Sequence, residues 1–226
     1  IKLFHNGLIM KSLLNTVIVA TVASIAATIL GTAAAIGINN MKKLPRTIVM
    51  QGTNIPIINP EIVTGVSMML LFVFIGSILG ASGVLGFWTL FIAHVTFSLP
   101  YVILNVLPKL RQTDANLSQA AQDLGCPPVK AFIKVVLPSI LPGVVAGLIM
   151  AFTLSFDDFI ISYFVSGPKF QTLPIRIFSM TKKRVTPDMY ALSTIMFIVI
   201  LVLLVLVNVL QAQGDSKKDK KGGAAK

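Results

Sequence analysis

Long apolar stretches free of charged side chains make up most of the chain, and short polar segments separate them. A helix of about 20 apolar residues is long enough to cross a bilayer. The pattern therefore predicts five spans, with Gly80-Ala81-Ser82-Gly83 as the turn between the second and the third. We place them at 14–36, two within 62–108, one at 135–164 and one at 189–210. The expected fold is an all-α polytopic membrane helix bundle.

The polar segment 112–137 has a helical periodicity of its own. Apolar residues recur at i, i+3, i+4 and i+7 in two successive stretches, 117–124 and 129–136. This pattern predicts two short amphipathic helices at the membrane surface. Such a pair suits docking against a partner protein, and it equally suits an elbow that lies in the lipid headgroup layer.

The ends of these two helices are marked in the sequence. Thr113 or Asp114 can cap the start of the first helix, and Gly125 suits its C-terminal end. Pro128 fits the first position of the second helix, and we expect Pro138 to bend the chain into the next span.

The same segment resembles the E-A-A-x3-G-x9-I-x-L-P loop of ABC-importer permeases, by which the membrane subunit contacts its ATPase. The matching residues are Ala120, Ala121, Gly125, Leu137 and Pro138, while Gln119 replaces the glutamate and Val135 the isoleucine. The resemblance implies that 112–137 is an ATPase-coupling loop. Its candidate contact residues are Gln119, Ala120, Ala121, Asp123, Leu124 and Gly125.

Composition supports a membrane protein and excludes several other classes. The 226 residues are 55% hydrophobic and 12% charged, with a mean hydropathy of +0.86, which excludes an ordinary soluble domain. The net charge of +11 comes from basic residues between and beyond the apolar runs, so it fits contact with lipid headgroups rather than nucleic acid. No phosphate-binding loop, HExxH, CxxC or GxSxG motif occurs, so we expect no enzymatic activity, catalytic residue, cofactor or metal.

The distribution of Lys and Arg predicts the orientation. The side with the 112–137 loop and the C-terminus carries twelve of them and the other side seven, so the former is assigned to the cytoplasm. This places the N-terminus outside, and the chain starts with Ile1, so we expect one further N-terminal span, as in the six-helix core of the family. Residues 1–211 form the expected permease domain, and 212–226 a disordered Lys/Gly-rich cytoplasmic tail.

Two adjacent acids, Asp157 and Asp158, interrupt an apolar span. Carboxylates in that position cost several kcal/mol and are usually retained for ion or substrate pathways. In a continuous helix Ser155, Asp158 and Ser162 share a face, and aromatic residues run beside the acids at 152, 156, 159 and 163. Together they could cradle a cation. The candidate substrate-path residues are Ser155, Asp157, Asp158 and Phe159.

Other interpretations of these residues remain open. The two acids could instead lie near the outer surface and pair with Lys169 or Arg176, or only touch water. Adjacent helix positions point about 100° apart, so at most one of the two acids need face a pathway. His94 lies inside a span, where an interhelical hydrogen bond is the expectation and a proton relay the alternative.

The run Ser155–Phe159 followed by Thr172-Leu173-Pro174 resembles spermidine/putrescine permease subunits, as do Leu3–Asn6 and Asn15-Thr16. The resemblance implies an ATP-driven polyamine importer of the bacterial inner membrane. Its implied partners are a homodimeric ATPase, a second permease subunit, an extracytoplasmic polyamine-binding protein and membrane lipid. The alternatives are an ABC permease for another cation, such as ferric ion, and an ATPase-independent secondary transporter.

Overall fold

The computed structural model contains only helices and connecting segments in the ranges that it describes. Those ranges are 7–81, 83–114, 116–168, 170–182 and 187–222, with backbone alone at 118, 187–189 and 210–222. Five helices within them are long and apolar enough to cross a membrane. The prediction of an all-α bundle with five spans is confirmed.

Ten helices follow one another along the described ranges. They are α1 (Gly7–Asn40), α2 (Lys43–Ile58), α3 (Glu61–Ile78), α4 (Phe87–Gln112), α5 (Asn116–Asp123), α6 (Pro128–Ala131), α7 (Leu137–Asp157), α8 (Ile160–Val165), α9 (Leu173–Thr181) and α10 (Pro187–Gly222). A single π-helical turn, Phe132–Val136, joins α6 to α7. One continuous span of 30 residues, Pro128–Asp157, results.

Helices α1, α4 and α7 form the centre of the bundle, and small residues let them approach closely. Val102 of α4 fits between Gly31 of α1 and Gly147 of α7. A Cβ atom on Gly31 would lie 2.7 Å from Val102 Cγ1, and one on Gly147 would lie 3.3 Å from it. Around this centre, α10 packs against α7 and α9, and α3 packs against α8.

The glycine-rich turn between the second and third spans is where the sequence places it. Gly80 and Gly83 have φ angles of +65° and +72°, the left-handed region that glycine enters without strain. Helix α3 ends at Ile78 and α4 begins at Phe87, which confirms two helices within 62–108. Ser82 lies outside the described residues.

Helix α2 is absent from the sequence prediction. It follows α1 after a two-residue break, and none of its residues is buried within this chain. Polar side chains at Arg46, Gln51 and Asn54 interrupt its apolar positions, so that it does not qualify as a span. Its 16 residues measure about 24 Å, less than the thickness of the bilayer core. Helix α3 begins after a further two-residue break, at Glu61.

The fourth predicted span, 135–164, is wrong at both ends. Its helix starts at Pro128 rather than 135, because a π-helical turn continues the helix up to Leu137 and Pro138. In that turn the N–H of Leu137 bonds to the carbonyl oxygen of Phe132, and this shift in register accommodates a proline that cannot donate a hydrogen bond. At the other end the helix stops at Asp157, and α8 starts only at Ile160.

The C-terminal helix extends beyond the predicted fifth span at 189–210. Helix α10 continues to Gly222, so the backbone of 212–222 is helical where a disordered tail was expected. The alanine and lysine residues of this segment are good helix formers, and they prolong a helix that the membrane span has already nucleated. Residues 223–226 lie outside the described ranges.

Candidate functional site

A helix break at Asp158 and Phe159 forms the centre of the candidate site. Helix α7 ends at Asp157, and the backbone of Asp158 is extended, with a ψ of 122°. The carboxylate of Asp158 then accepts hydrogen bonds from the backbone N–H groups of Ser162, at 2.7 Å, and Ile161, at 3.3 Å. These N–H groups have no partner inside the short helix, so Asp158 caps the start of α8.

His94 of α4 connects both sides of this break. Its Nδ1 shares a hydrogen bond with the hydroxyl of Ser155 on α7, and its Nε2 shares one of 3.0 Å with the hydroxyl of Ser162 on α8. Nε2 also lies 3.4 Å from Oδ2 of Asp158. The side chains of His94 and Asp158 are only 2% and 5% exposed. Ser155, Asp158 and Ser162 therefore converge on His94, which confirms it as an interhelical hydrogen bonder.

The two adjacent acids have different environments. Asp158 is buried and bonded as described above, whereas Asp157 is exposed in this chain. Asp158 lies at ion-pair distance from His94, and among the described residues neither acid forms an ion pair with Arg176. The Nε atom of Arg176 is buried and has no partner among the described residues. Lys169, the other predicted partner, lies outside them.

Glu61 lies at the start of α3, close to the break, and the sequence prediction had missed it as a site residue. It is the first residue of α3 and is exposed, and the negative charges of Asp158 and Asp157 act on it electrostatically. Tyr101 of α4 lies within reach of the charge of Glu61. One turn after Glu61, a Cβ on Gly65 would lie 3.4 Å from the Cα of Ile161, which places the start of α3 beside α8.

A sequence signal for Glu61 does exist. It immediately precedes a charge-free window that extends to Pro108, so it is an acid at the edge of a long apolar run. Its proximity to Asp157 could not be deduced, because it depends on the packing of α3 against α8. Among the described residues, no group of three or more His, Cys, Asp or Glu side chains could hold a metal ion.

The break also divides the aromatic residues that were expected to form one cradle. Phe152 and Phe156 stack on each other with ring centroids 5.7 Å apart and pack into an apolar cluster that contains Leu173. Phe159 contacts Phe178 of α9 instead, at 4.6 Å between centroids, and Tyr163 joins that second group. The expected cradle of four aromatics is therefore wrong, because it assumed a continuous helix.

The segment after α8 is anchored to the first span. The backbone N–H of Leu173 donates to the hydroxyl of Thr16 at 2.7 Å, and the amide of Asn15 donates to the carbonyl oxygen of Gln171 at 3.1 Å. Two distant stretches that carried the resemblance, 15–16 and 172–174, are thus in contact. This anchor fixes the start of α9 and, through it, Phe178 beside Phe159.

The first helix of the 112–137 loop has the predicted caps. Of the two candidate N-caps, Asp114 is the one used, since its carboxylate accepts the N–H of Asn116 at 2.9 Å. At the other end Gly125 has a φ of +82°, as a glycine that terminates a helix requires. The N–H of Cys126 bonds to the carbonyl of Ala121, and that of Gly125 to the carbonyl of Gln122, which completes a Schellman motif.

The apolar side chains of this loop are exposed in the chain. Leu124 is 89% exposed and Val129 71%, and Leu117 and Ile133 are exposed as well. Gln119, Ala120, Asp123 and Gly125 are also exposed, while Ala121 is partly buried. The loop nevertheless has a defined shape, because α5 packs against α6 and the π-helical turn. It presents a preformed apolar surface that this chain does not cover.

Comparison with known proteins gives consistent relatives over nearly the whole chain. Residues 9–220 match the family described as "Binding-protein-dependent transport system inner membrane component". The spermidine/putrescine transport system permease protein PotC of Haemophilus influenzae is 39% identical over 205 residues, covering 91% of this chain and 77% of that protein. The putrescine transport system permease protein PotI of Escherichia coli K12 is 34% identical over 201 residues, covering 86% and 69%.

Two solved structures share the fold. One belongs to an amino acid ABC transporter with histidines, with a TM-score of 0.64, 17% identity and coverage of 92% of this chain and 95% of that chain. The other is the MetNI methionine ABC transporter in inward-facing conformations, with a TM-score of 0.64, 20% identity and coverage of 92% and 93%. At these identities the likeness concerns the fold alone.

Proposed function

The chain belongs to the family of binding-protein-dependent transport system inner membrane components, and from this membership we propose that it is the membrane-spanning subunit of an ATP-driven polyamine importer. In this proposal it lines half of the translocation path, and its 112–137 loop couples the path to an ATPase. A second permease subunit completes the path, and an extracytoplasmic binding protein delivers the polyamine.

The observation that carries the proposal is the pair of exposed carboxylates, Glu61 and Asp157, at a helix break within membrane-spanning elements. Glu61 is the first residue of one span and Asp157 the last residue of another. Exposed charge at the end of a span is unfavourable in contact with lipid, so it suits a face that a partner subunit or an aqueous path covers. Two carboxylates on that face suit a cargo with more than one positive charge. The names of PotC and PotI, spermidine/putrescine and putrescine permeases, agree with such a cargo.

The 112–137 loop and the acidic site lie at opposite ends of one helix. The span Pro128–Asp157 begins inside the loop and ends at the exposed acid. Its 30 residues measure roughly 45 Å, more than the thickness of the bilayer core. A displacement of the loop can therefore reach Asp157 along one helix, which the π-helical turn and Pro142 interrupt locally.

The exposed apolar residues of the loop suit a groove on an ATPase subunit. An amphipathic helix docks its apolar side chains into such a groove, and Leu124 and Val129 are the most exposed of them. Nucleotide-driven closure of the ATPases would move the loop and alternate the site between outward and inward access. ATP can drive this change only if the loop binds the ATPase differently in the two states.

Uptake by charge variants of Asp157 tests the cargo assignment. Cells that depend on this transporter take up labelled spermidine, and we expect Asp157→Asn to reduce the initial rate at low spermidine roughly tenfold or more, because a charge-assisted contact is lost. Asp157→Glu keeps the charge and should retain most of the rate. Both variants should reach wild-type levels in the membrane.

Competition separates polyamines from other cations in the same assay. Unlabelled putrescine and spermidine should suppress uptake, whereas ferric citrate should not. Unchanged spermidine uptake by Asp157→Asn, or suppression by ferric citrate alone, would contradict the cargo assignment.

A further inference from the structure

The imidazole of His94 contacts residues on both sides of Asp157 in the sequence. Ser155, two residues before Asp157, is hydrogen-bonded to Nδ1 of His94. Asp158, the residue after it, lies 3.4 Å from Nε2, and Ser162 is bonded to the same nitrogen. The backbone on each side of Asp157 is therefore held by a single side chain of a third element, α4.

The arrangement requires a ring with two separated nitrogens. The two nitrogens of histidine point in different directions, so one buried ring can bridge a hydroxyl on α7 and a hydroxyl on α8. The ring also lies at ion-pair distance from the carboxylate of Asp158, which leaves Asp157 as the unengaged acid at the break.

We infer that His94 is a positioning residue for the cargo path, in which it fixes the α7–α8 break so that the exposed carboxylate of Asp157 keeps one direction. Without the contacts of His94 to Ser155, Asp158 and Ser162, α8 can rotate relative to α7, and the side chain of Asp157 no longer has a fixed direction. The role for cargo rests on the proposed function. The geometric part, that His94 sets the exposure of position 157, does not depend on which cargo is carried.

A double-mutant cycle on the assembled transporter tests the connection. We expect His94→Ala to raise the KM for spermidine about tenfold with little change in the maximal rate. The reason is that the variant still has the carboxylate of Asp157 but no longer holds it in the position that contacts the cargo. If His94 acts through Asp157, then His94→Ala combined with Asp157→Asn should have the KM of Asp157→Asn alone, within about twofold. Multiplied effects in the double variant, or an unchanged KM in His94→Ala, would overturn the inference.

The control is Ser98→Ala. Ser98 is one turn further along α4 and is buried, and its hydroxyl has no hydrogen-bond partner among the described residues. Its replacement should leave the KM unchanged. If His94→Ala does not accumulate in the membrane, Ser155→Ala and Ser162→Ala carry the test, since each removes one hydrogen bond and keeps the ring. An unchanged KM in both serine variants would overturn the inference.

A labelling experiment provides a readout independent of cargo. Cys126 is the only cysteine, so Asp157→Cys in a Cys126→Ser background carries one thiol at the site. We expect His94→Ala to change the rate of its reaction with a membrane-impermeant methanethiosulfonate reagent severalfold, and Ser98→Ala to leave the rate unchanged. Equal rates in all three backgrounds would overturn the inference. Absence of spermidine uptake by the wild-type complex would contradict the proposed function and leave this readout intact.

Discussion

Asp157 and Asp158 illustrate how adjacent identical residues take different tasks. The carboxylate of Asp158 has a structural role, since it caps α8 and lies beside His94. The side chain of Asp157, in contrast, is exposed. A substitution of either acid should therefore lower uptake, but for different physical reasons.

Thermal denaturation in detergent distinguishes these reasons. We expect Asp158→Ala to destabilise the protein by about 2 kcal/mol, because it leaves the N–H groups of Ile161 and Ser162 without their acceptor and removes a charge beside His94. Asp157→Ala is the matched control and should melt at the wild-type temperature. Equal melting temperatures for the two variants would contradict the structural role of Asp158.

At the scale of elements, the close approach of α1 to α4 depends on the absence of a side chain at one position. A Cβ on Gly31 would overlap Val102, whereas a Cβ on Gly37 of the same helix would meet nothing within 4 Å. We expect Gly31→Ala to lower stability by about 1–3 kcal/mol through overpacking, and Gly37→Ala to be neutral or slightly stabilising. Membrane accumulation and melting temperature of the two variants measure the difference, and equal losses would argue against tight packing of α1 on α4.

The elements that the sequence predicts well are those governed by local pattern. Charge-free windows locate the spans, and the spacing of Leu117 and Leu124 with Gly125 locates the first helix of the loop and its end. The break at Asp158 is different, since nothing in the local pattern forbids a continuous helix there. It is stabilised by His94, 64 positions earlier in the numbering, and such a contact depends on tertiary packing.

The same distinction applies to the candidate site. The sequence identifies Asp157 and Asp158 because charge inside an apolar run is visible locally. It cannot assign Glu61 to the same face, nor separate Phe156 from Phe159, because both depend on how α3, α8 and α9 pack. The exposed apolar face of α5 follows from periodicity, while its lack of cover within the chain becomes apparent only in the folded structure.

For the whole molecule, we propose a mechanical coupling between the loop and the acidic site. The chain has an exposed acid, Asp157, at one end of a 30-residue helix and an exposed apolar loop at the other. In our proposal a separate ATPase subunit moves the loop, and the helix transmits this movement to the acidic site. Loss of the apolar contact at the loop should then abolish transport while the fold and the acidic site remain unchanged.

Transport by the complete complex reconstituted in proteoliposomes tests this claim most directly, with ATP supplied either on the side of the 112–137 loop or not at all. We predict that spermidine uptake requires ATP on that side, and that Leu124→Asp reduces it at least tenfold, because a charge in a desolvated apolar contact costs several kcal/mol. The variant should retain the wild-type melting temperature, since Leu124 is exposed in this chain. Uptake that proceeds without ATP and collapses on addition of a protonophore would contradict the proposal.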